Sequence, residues 1–254
     1  MSVHTLCKVV ERQTLAPTLI SLVFDCSEVA GAVRAGQFLH VACGDGLLLR
    51  RPISVCDVDG SLVKLVFEVK GQGTRWLSER KLGDTLDILG PLGNGFDLSE
   101  KKLLLAGGGI GVPPMLMVAR QATSSTAVLG FATAAKAALL PEFAVACEAV
   151  DISTDDGSLG KHGFLTELVQ RRLDTEHFDA VLACGPAKML ARVAQIAADH
   201  NTPCQVSLEE RMGCGVGACL VCSCKVKTSY GEGYARVCAD GPVFSSEEVI
   251  WDEA

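Results

Sequence analysis

From Thr5 to about Leu89, apolar residues come in short runs rich in β-branched and aromatic side chains. Runs at 19–24, 38–42 and 62–69 are broken at close intervals by Gly and Asp. That rhythm predicts an antiparallel β-barrel. Within 62–69, Lys64 and Glu68 fall on one face of an otherwise apolar strand, as a mostly buried strand allows. After the loop-like cluster Gly90-Pro-Leu-Gly-Asn-Gly-Phe96 the period changes, and short apolar runs alternate with helical stretches. Strands are expected at 103–105, 127–131, 150–153 and 180–183, and helices at 113–121, 164–172 and 187–198, the first with proline in its opening turn. Such alternation means a parallel, doubly wound α/β sheet. Pro203 closes the pattern, and the residues beyond it are rich in Cys and Gly without a regular period. The expected division is therefore a β-barrel over 1–98, an α/β domain over 99–202 and a small metal-built module over 203–254.

A chain of 254 residues has room for two ordinary domains plus an appendage, each able to bury its own core. Hydrophobic residues at 48% and charged residues at 21% place it among folded globular proteins. A net charge of −7 and the lack of any Lys/Arg run argue against nucleic acid as a partner. The uncharged stretch 103–119 is only 17 residues long and holds four glycines and two prolines, so no membrane span is expected. The first residues offer no basic region followed by an apolar one, and a cytoplasmic location is the expectation.

In such a compartment twelve cysteines do not suggest disulfides. Seven (Cys7, Cys26, Cys43, Cys56, Cys147, Cys184, Cys204) are scattered and read as small buried hydrophobes. The other five crowd between 214 and 238. Cys214-Gly-Val-Gly-Ala-Cys219-Leu-Val-Cys222, followed by Cys238, has the C-x4-C-x2-C-then-C spacing of plant-type 2Fe-2S sites. Glycines at 213, 215 and 217 let the backbone wrap closely and turn amides toward the sulfurs. Zinc is the alternative, but zinc ribbons pair two C-x2-C knuckles and only one such pair is present here. Cys224 is the one alternative to Cys238 as fourth ligand, although it shares a strand face with Cys222 and can pack beneath the cluster instead.

Two further motifs suit cofactors. Gly107, Gly108, Gly109 and Gly111 form a turn between an apolar run and a helix, where amides and a helix N-terminus can meet a pyrophosphate. The fingerprint departs from the usual one, because Gly109-x-Gly111-x-x-Pro114 ends in proline. Thr154-Asp-Asp-Gly-Ser158 and Cys184-Gly185-Pro186 follow later strands, at the ends where open α/β sheets bind ligands. No acidic residue stands near 131–136 to hold a ribose hydroxyl, so NADH and NADPH are not distinguished there. In the barrel, Arg50-Arg51-Pro52-Ile53-Ser54 puts a guanidinium and a hydroxyl beside a stiff proline, suited to a flavin phosphate and ring. Gly73 and Thr74 can add amides. The five histidines are scattered and receive no role.

Together, Arg51-Pro-Ile-Ser54, Gly71-Gln-Gly-Thr74, Gly107-Gly-Gly-Ile-Gly-Val-Pro-Pro114, Thr154-Asp-Asp-Gly-Ser158, Cys184-Gly-Pro186 and Glu210-Arg-Met-Gly-Cys-Gly-Val-Gly-Ala-Cys219 resemble one family over nearly the whole chain. It is the electron-transfer subunit of NAD-dependent dihydroorotate dehydrogenase, in the ferredoxin reductase superfamily. The most specific part is Ser207-Leu-Glu-Glu-Arg-Met-Gly-Cys214.

The resemblance implies FAD held by Arg51, Pro52, Ile53, Ser54, Val66, Phe67, Glu68, Gly73 and Thr74. It implies NAD across the glycine turn and Cys184, Gly185 and Pro186, and a 2Fe-2S cluster on Cys214, Cys219, Cys222 and Cys238. The implied partner is an FMN-containing catalytic subunit that oxidises dihydroorotate in pyrimidine synthesis, two of each subunit forming a heterotetramer. Electrons would run from that FMN through the cluster and FAD to NAD. A flavin suits such a relay, since nicotinamides exchange two electrons at once and 2Fe-2S clusters one. The alternative is a related NAD(P)H reductase subunit serving another acceptor, such as a ferredoxin-linked transhydrogenase or a hydrogenase.

Overall fold

A computed structural model describes residues 2–44 and 46–251. Antiparallel strands β1 (Val3–Ala16), β2 (Leu19–Asp25), β3 (Phe38–Val41), β4 (Arg51–Asp59), β5 (Leu62–Glu68) and β6 (Thr85–Leu92) close a barrel in the order β1-β2-β5-β4-β3-β6. Closure removes the free edges of a single sheet. Alternation does the rest: Val63, Leu65 and Phe67 of β5 are buried while Lys64 and Glu68 stay partly exposed. Two short helices decorate the barrel, α1 (Ser27–Ala30) and α2 (Gln72–Ser78), and the Gly71-Gln-Gly turn read from the sequence is the first turn of α2.

The second layer is a sheet in the order β10-β9-β8-β7-β11-β12-β15. Its strands are β7 (Lys102–Gly108), β8 (Ser124–Phe131), β9 (Ala149–Thr154), β10 (Lys161–His162), β11 (Ala180–Cys184), β12 (Cys204–Ser207) and β15 (Val243–Ser245), all parallel except the last. Helices α3 (Val112–Gln121), α4 (Leu140–Ala146), α5 (Leu165–Thr175) and α6 (Ala187–Asp199) make the crossovers. β7 is buried on both faces, which explains its unbroken apolar run. The apolar stretch 103–119 is thus strand, turn and helix. Among the described residues no helix is long and apolar enough to cross a membrane.

The third boundary differs from expectation. Cys204–Ser207, beyond Pro203, pairs in parallel with β11, and β15 returns from near the C-terminus to pair with β12. Proline ended the helical pattern there but did not end the sheet, because it precedes the strand rather than interrupting it. What stands apart is the ribbon of β13 (Ser223–Thr228) and β14 (Gly231–Arg236) with the cysteine loop before it.

Nor does each domain keep a private core. Leu103 and Leu105 point into a cluster continuous with the barrel interior through α3, while Leu104 and Ala106 point to the other sheet face, whose cluster takes in α5, α6, Cys222, Cys238 and Phe244. Strand alternation makes one sheet serve both. Cys7 and Cys26 are buried as read, and the β1–β2 register that sets Lys8 opposite Asp25 brings their Cα atoms to 5.4 Å.

Candidate functional site

A cleft of about 850 Å³ opens where barrel and sheet meet. Its barrel wall is Arg51, Pro52, Ile53 and Ser54 of β4, Val66, Phe67 and Glu68 of β5, and Thr74 of α2. Opposite stand Gly111, Cys184, Gly185 and Pro186, at the C-terminal ends of β7 and β11. The connections run to opposite sides of the sheet there, which is where such folds leave a crevice. The volume falls within the range of small-molecule and cofactor sites.

The two arginines of the Arg-Arg-Pro motif part company. Arg50 bonds Asp87 at 2.8 Å and donates to the carbonyls of His40 and Asp87, fastening β4 to β3 and β6. Arg51 donates to the Leu49 carbonyl and sits over Gly73, where any Cβ would meet its guanidinium, with Cζ at 2.8 Å. Gly73 therefore shapes the cleft from beneath and is buried. Thr74 closes the turn by accepting from the N–H groups of Lys70 and Gly71 at 2.9 and 3.1 Å. Glu68 faces Lys70 at 3.1 Å and Lys136 at 3.9 Å.

Of the glycines at the end of β7, only Gly111 reaches the cleft. Gly107 packs against Val112, where a Cβ would lie 3.2 Å from its Cα, and Gly108 against Met189. Gly109, at φ +55°, turns the chain into the helix with open space around it. A Cβ on Gly111 would strike the Cys184 carbonyl and approach the Gly185 nitrogen to 2.6 Å. The two loops touch as backbone on backbone. Burial pushes the Cys184 thiol up to about 12 against a hydrogen bond with Ser207, its partner across β11 and β12. A neutral thiol therefore lines this wall at neutral pH.

Thr154-Asp-Asp-Gly-Ser158 lies outside the cleft, at the end of β9. Ser158 Oγ donates to Asp156 at 2.6 Å and accepts from the Ala134 N–H at 2.7 Å, tying together the loops after β8 and β9.

The third wall was not anticipated. Ser207 to Met212 line the cleft, and Cys214 follows two residues later. This segment is the most specific part of the family resemblance, but its residues carry no pattern that places it against the barrel.

The cysteine loop gathers Cys214, Cys219, Cys222 and Cys238. Amides aim at their sulfurs: Val216, Ala218 and Cys219 N–H at Cys214 Sγ (3.4, 3.2 and 3.4 Å), Cys214 N–H at Cys219 Sγ (3.4 Å), Gly217 N–H at Cys238 Sγ (3.2 Å) and Cys238 N–H at Cys222 Sγ (3.4 Å). Burial opposes the Cys214 thiolate, yet the amides of Val216, Cys219 and Ala218 bring its pKa down to about 6. Burial and the adjoining Cys222 push Cys238 up to about 12. The side chains associate as two pairs, 214 with 219 and 222 with 238. Among the described residues no three metal-ligating groups converge on one point. A two-iron cluster takes two thiolates per iron, and the two pairs fit that donor set. Cys224 stands aside on β13 opposite Ala235, where burial raises its pKa.

One residue left without a role enters here. His40, on β3, is 1% exposed and lies under the cysteine loop, where a Cβ on Gly215 would be 2.6 Å from its Nδ1. Burial and then the Arg50 charge lower its pKa. No sequence signal pointed to it, since a lone histidine in an apolar strand reads as core.

Residues 209–250 match the family described as the iron-sulfur cluster binding domain of dihydroorotate dehydrogenase B. The chain is 44% identical over 227 residues to the dihydroorotate dehydrogenase B (NAD(+)) electron transfer subunit of Geobacillus kaustophilus, covering 85% of this chain and 86% of that protein. With the subunit of the same name from Streptococcus pneumoniae it shares 42% identity over 254 residues, covering 96% and 97%. Among solved structures, an NADH-dependent reduced ferredoxin-NADP oxidoreductase, from work on flavin-based electron bifurcation, superposes with a TM-score of 0.87 at 30% identity, covering 98% of this chain and 91% of that one.

Proposed function

Since the chain belongs to the electron-transfer subunits of NAD-dependent dihydroorotate dehydrogenase B, we propose that its cleft and cysteine loop form one continuous path between a nicotinamide and a partner subunit that oxidises dihydroorotate. The observation that carries this reading is continuity: Met212 lines the cleft and Cys214 already belongs to the thiolate nest.

FAD fits the barrel wall. Arg51 supplies a fixed guanidinium for phosphate, preferred to an ammonium because its donors lie in one plane. Pro52, Ile53, Ser54, Val66, Phe67 and Glu68 line the same wall and would hold the rest of the cofactor, and Gly73 and Thr74 shape the turn beneath it. NAD would be held on the sheet side by the turn of Gly107, Gly108, Gly109 and Gly111, of which Gly111 lines the cleft, together with Cys184, Gly185 and Pro186. Cys184, held neutral by burial, adds bulk without charge to the cleft wall. A 2Fe-2S cluster would be held by Cys214, Cys219, Cys222 and Cys238, where the amides aimed at their sulfurs would offset its negative charge. When bound, these groups supply hydride exchange at the nicotinamide, conversion between two- and one-electron steps at the flavin and single-electron exchange at the cluster.

The partner is an FMN-containing catalytic subunit, two of each forming a heterotetramer, and it docks on the cysteine side. Val216, Leu220 and Val221 are more than half exposed beside the exposed Cys219, a small apolar rim around the ligand that faces outward. Ten free cysteines suit a reducing compartment, the cytoplasm. Reconstitution tests the reading. With dihydroorotate, NAD and the partner subunit, electron flow to NAD should far exceed that of either subunit alone. Equal flow from this subunit alone would refute the assignment.

A further inference from the structure

The cleft and the cysteine loop are joined by more than the chain linking them. β3 runs beside β4 in the barrel, with His40 opposite Pro52. Alternation along β3 turns Leu39 and Val41 into the barrel interior and Phe38 outward, into the cluster that also holds Cys222 and Cys238. His40 shares the outward face with Phe38. There it is 1% exposed, yet neither ring nitrogen has a hydrogen-bond partner of ordinary geometry among the described residues. The polar groups facing the ring are the backbones of Cys214 and Arg50. A Cβ on Gly215, whose φ is +72°, would come within 2.6 Å of Nδ1, so the loop crosses the ring where only glycine fits. A buried imidazole is a costly filler for a space that leucine could occupy.

We propose that His40 is a positioning residue for the cluster: rooted in the strand beside the flavin cradle, it packs beneath the loop at Gly215 with its two unpartnered ring nitrogens toward the cluster side, and so fixes the first ligand, Cys214, relative to the barrel. The inference rests on the cluster reading above. Cys214 is the ligand with the most amides aimed at it, from Val216, Ala218 and Cys219, and all three belong to the loop that His40 underpins. Loosening that loop withdraws donors from a thiolate. The reduced cluster carries one more negative charge than the oxidised one, so losing donors disfavours reduction.

The test uses the full chain, purified with its cofactors, in four forms: wild type, His40→Leu, His40→Asn and His40→Gln. Iron and FAD per chain, the EPR line shape of the reduced cluster and its midpoint potential are measured in each. His40→Leu is expected to lower the reduced-to-oxidised ratio at a fixed potential about tenfold, 59 mV for a one-electron centre, and to broaden the EPR lines. At least one of Asn and Gln, which place an amide donor near Nδ1 or Nε2, should restore loading, potential and line shape toward wild type. The proposal is overturned if His40→Leu loads its cluster with wild-type potential and line shape. It is equally overturned if Leu, Asn and Gln behave alike, whether all three load the cluster or none does. Absence of a 2Fe-2S signal from the wild type is a separate result, which would sink the cluster reading itself.

Discussion

Gly111 is the point at which the two sides of the nucleotide crevice touch, and Gly111→Ala tests whether that contact sets the shape of the site. Its φ of −77° suits alanine, so backbone strain is not at issue. What matters is space: the added methyl would strike the Cys184 carbonyl and lie 2.6 Å from the Gly185 nitrogen. To reach van der Waals distance the 184–185 backbone must retreat by about 1 Å. Neither group is a flexible side chain, so the strain should match an overpacked core, about 1–3 kcal/mol. If the fold resists, it shows as a lower Tm, roughly 2–4 °C per kcal/mol for a chain of this size. If the wall yields, the strain appears as weaker nucleotide binding, about tenfold per 1.4 kcal/mol. Thermal denaturation and NADH titration of the flavin-loaded protein measure both, with FAD and iron content expected to be unchanged. Wild-type Tm together with wild-type NADH affinity would refute the argument.

Arg51→Lys should lose FAD on dilution, with about a tenfold weaker Kd, because an ammonium cannot present paired donors, while iron content stays at the wild-type level; flavin fluorescence of the filtrate reports it. Cys219→Ala should abolish the cluster's EPR signal yet keep FAD, since the barrel wall contains none of the cysteine loop; loss of both would contradict the division of the site. His200 provides a pH signature. Its ring meets the Ile196 carbonyl at 2.8 Å and Asp174 at 2.9 Å at the end of α6, and both raise its pKa. A raised folded pKa means the stabilisation is complete below the unfolded value near 6.5 and is lost as pH rises through the folded one. Wild type should therefore lose about 0.5 kcal/mol more than His200→Gln between about pH 6 and 8. Parallel denaturation curves across that window would exclude it.

Much of the architecture was legible in the sequence. The change from close β runs to strand-helix alternation after residue 96 matched the change from barrel to sheet, because the two environments impose different periods. The expected strands and helices of the α/β layer appear with ends extended by a few residues, since apolar periodicity fades before hydrogen bonding does. β12 and β15 were missed: at four and three residues they are too short to carry a period, and they are strands only because β11 and the module cover them. Within the site, motif glycines divide into those that touch the cleft, as Gly111 does, and those that make room behind it, as Gly107, Gly108 and Gly73 do. Spacing cannot separate them. The contact of His40 with Gly215 joins positions 175 apart in the chain, and only the folded barrel brings them together.

The central claim is that the thiolate nest is an obligatory station between partner and nicotinamide. It is tested most directly by mixing dihydroorotate and NAD, without oxygen, with the two-subunit complex carrying either the wild-type chain or Cys219→Ala, and following NADH formation. The account predicts rapid NADH formation with wild type and essentially none with the variant, both retaining FAD. NADH formation at the wild-type rate by the cluster-free complex would contradict it.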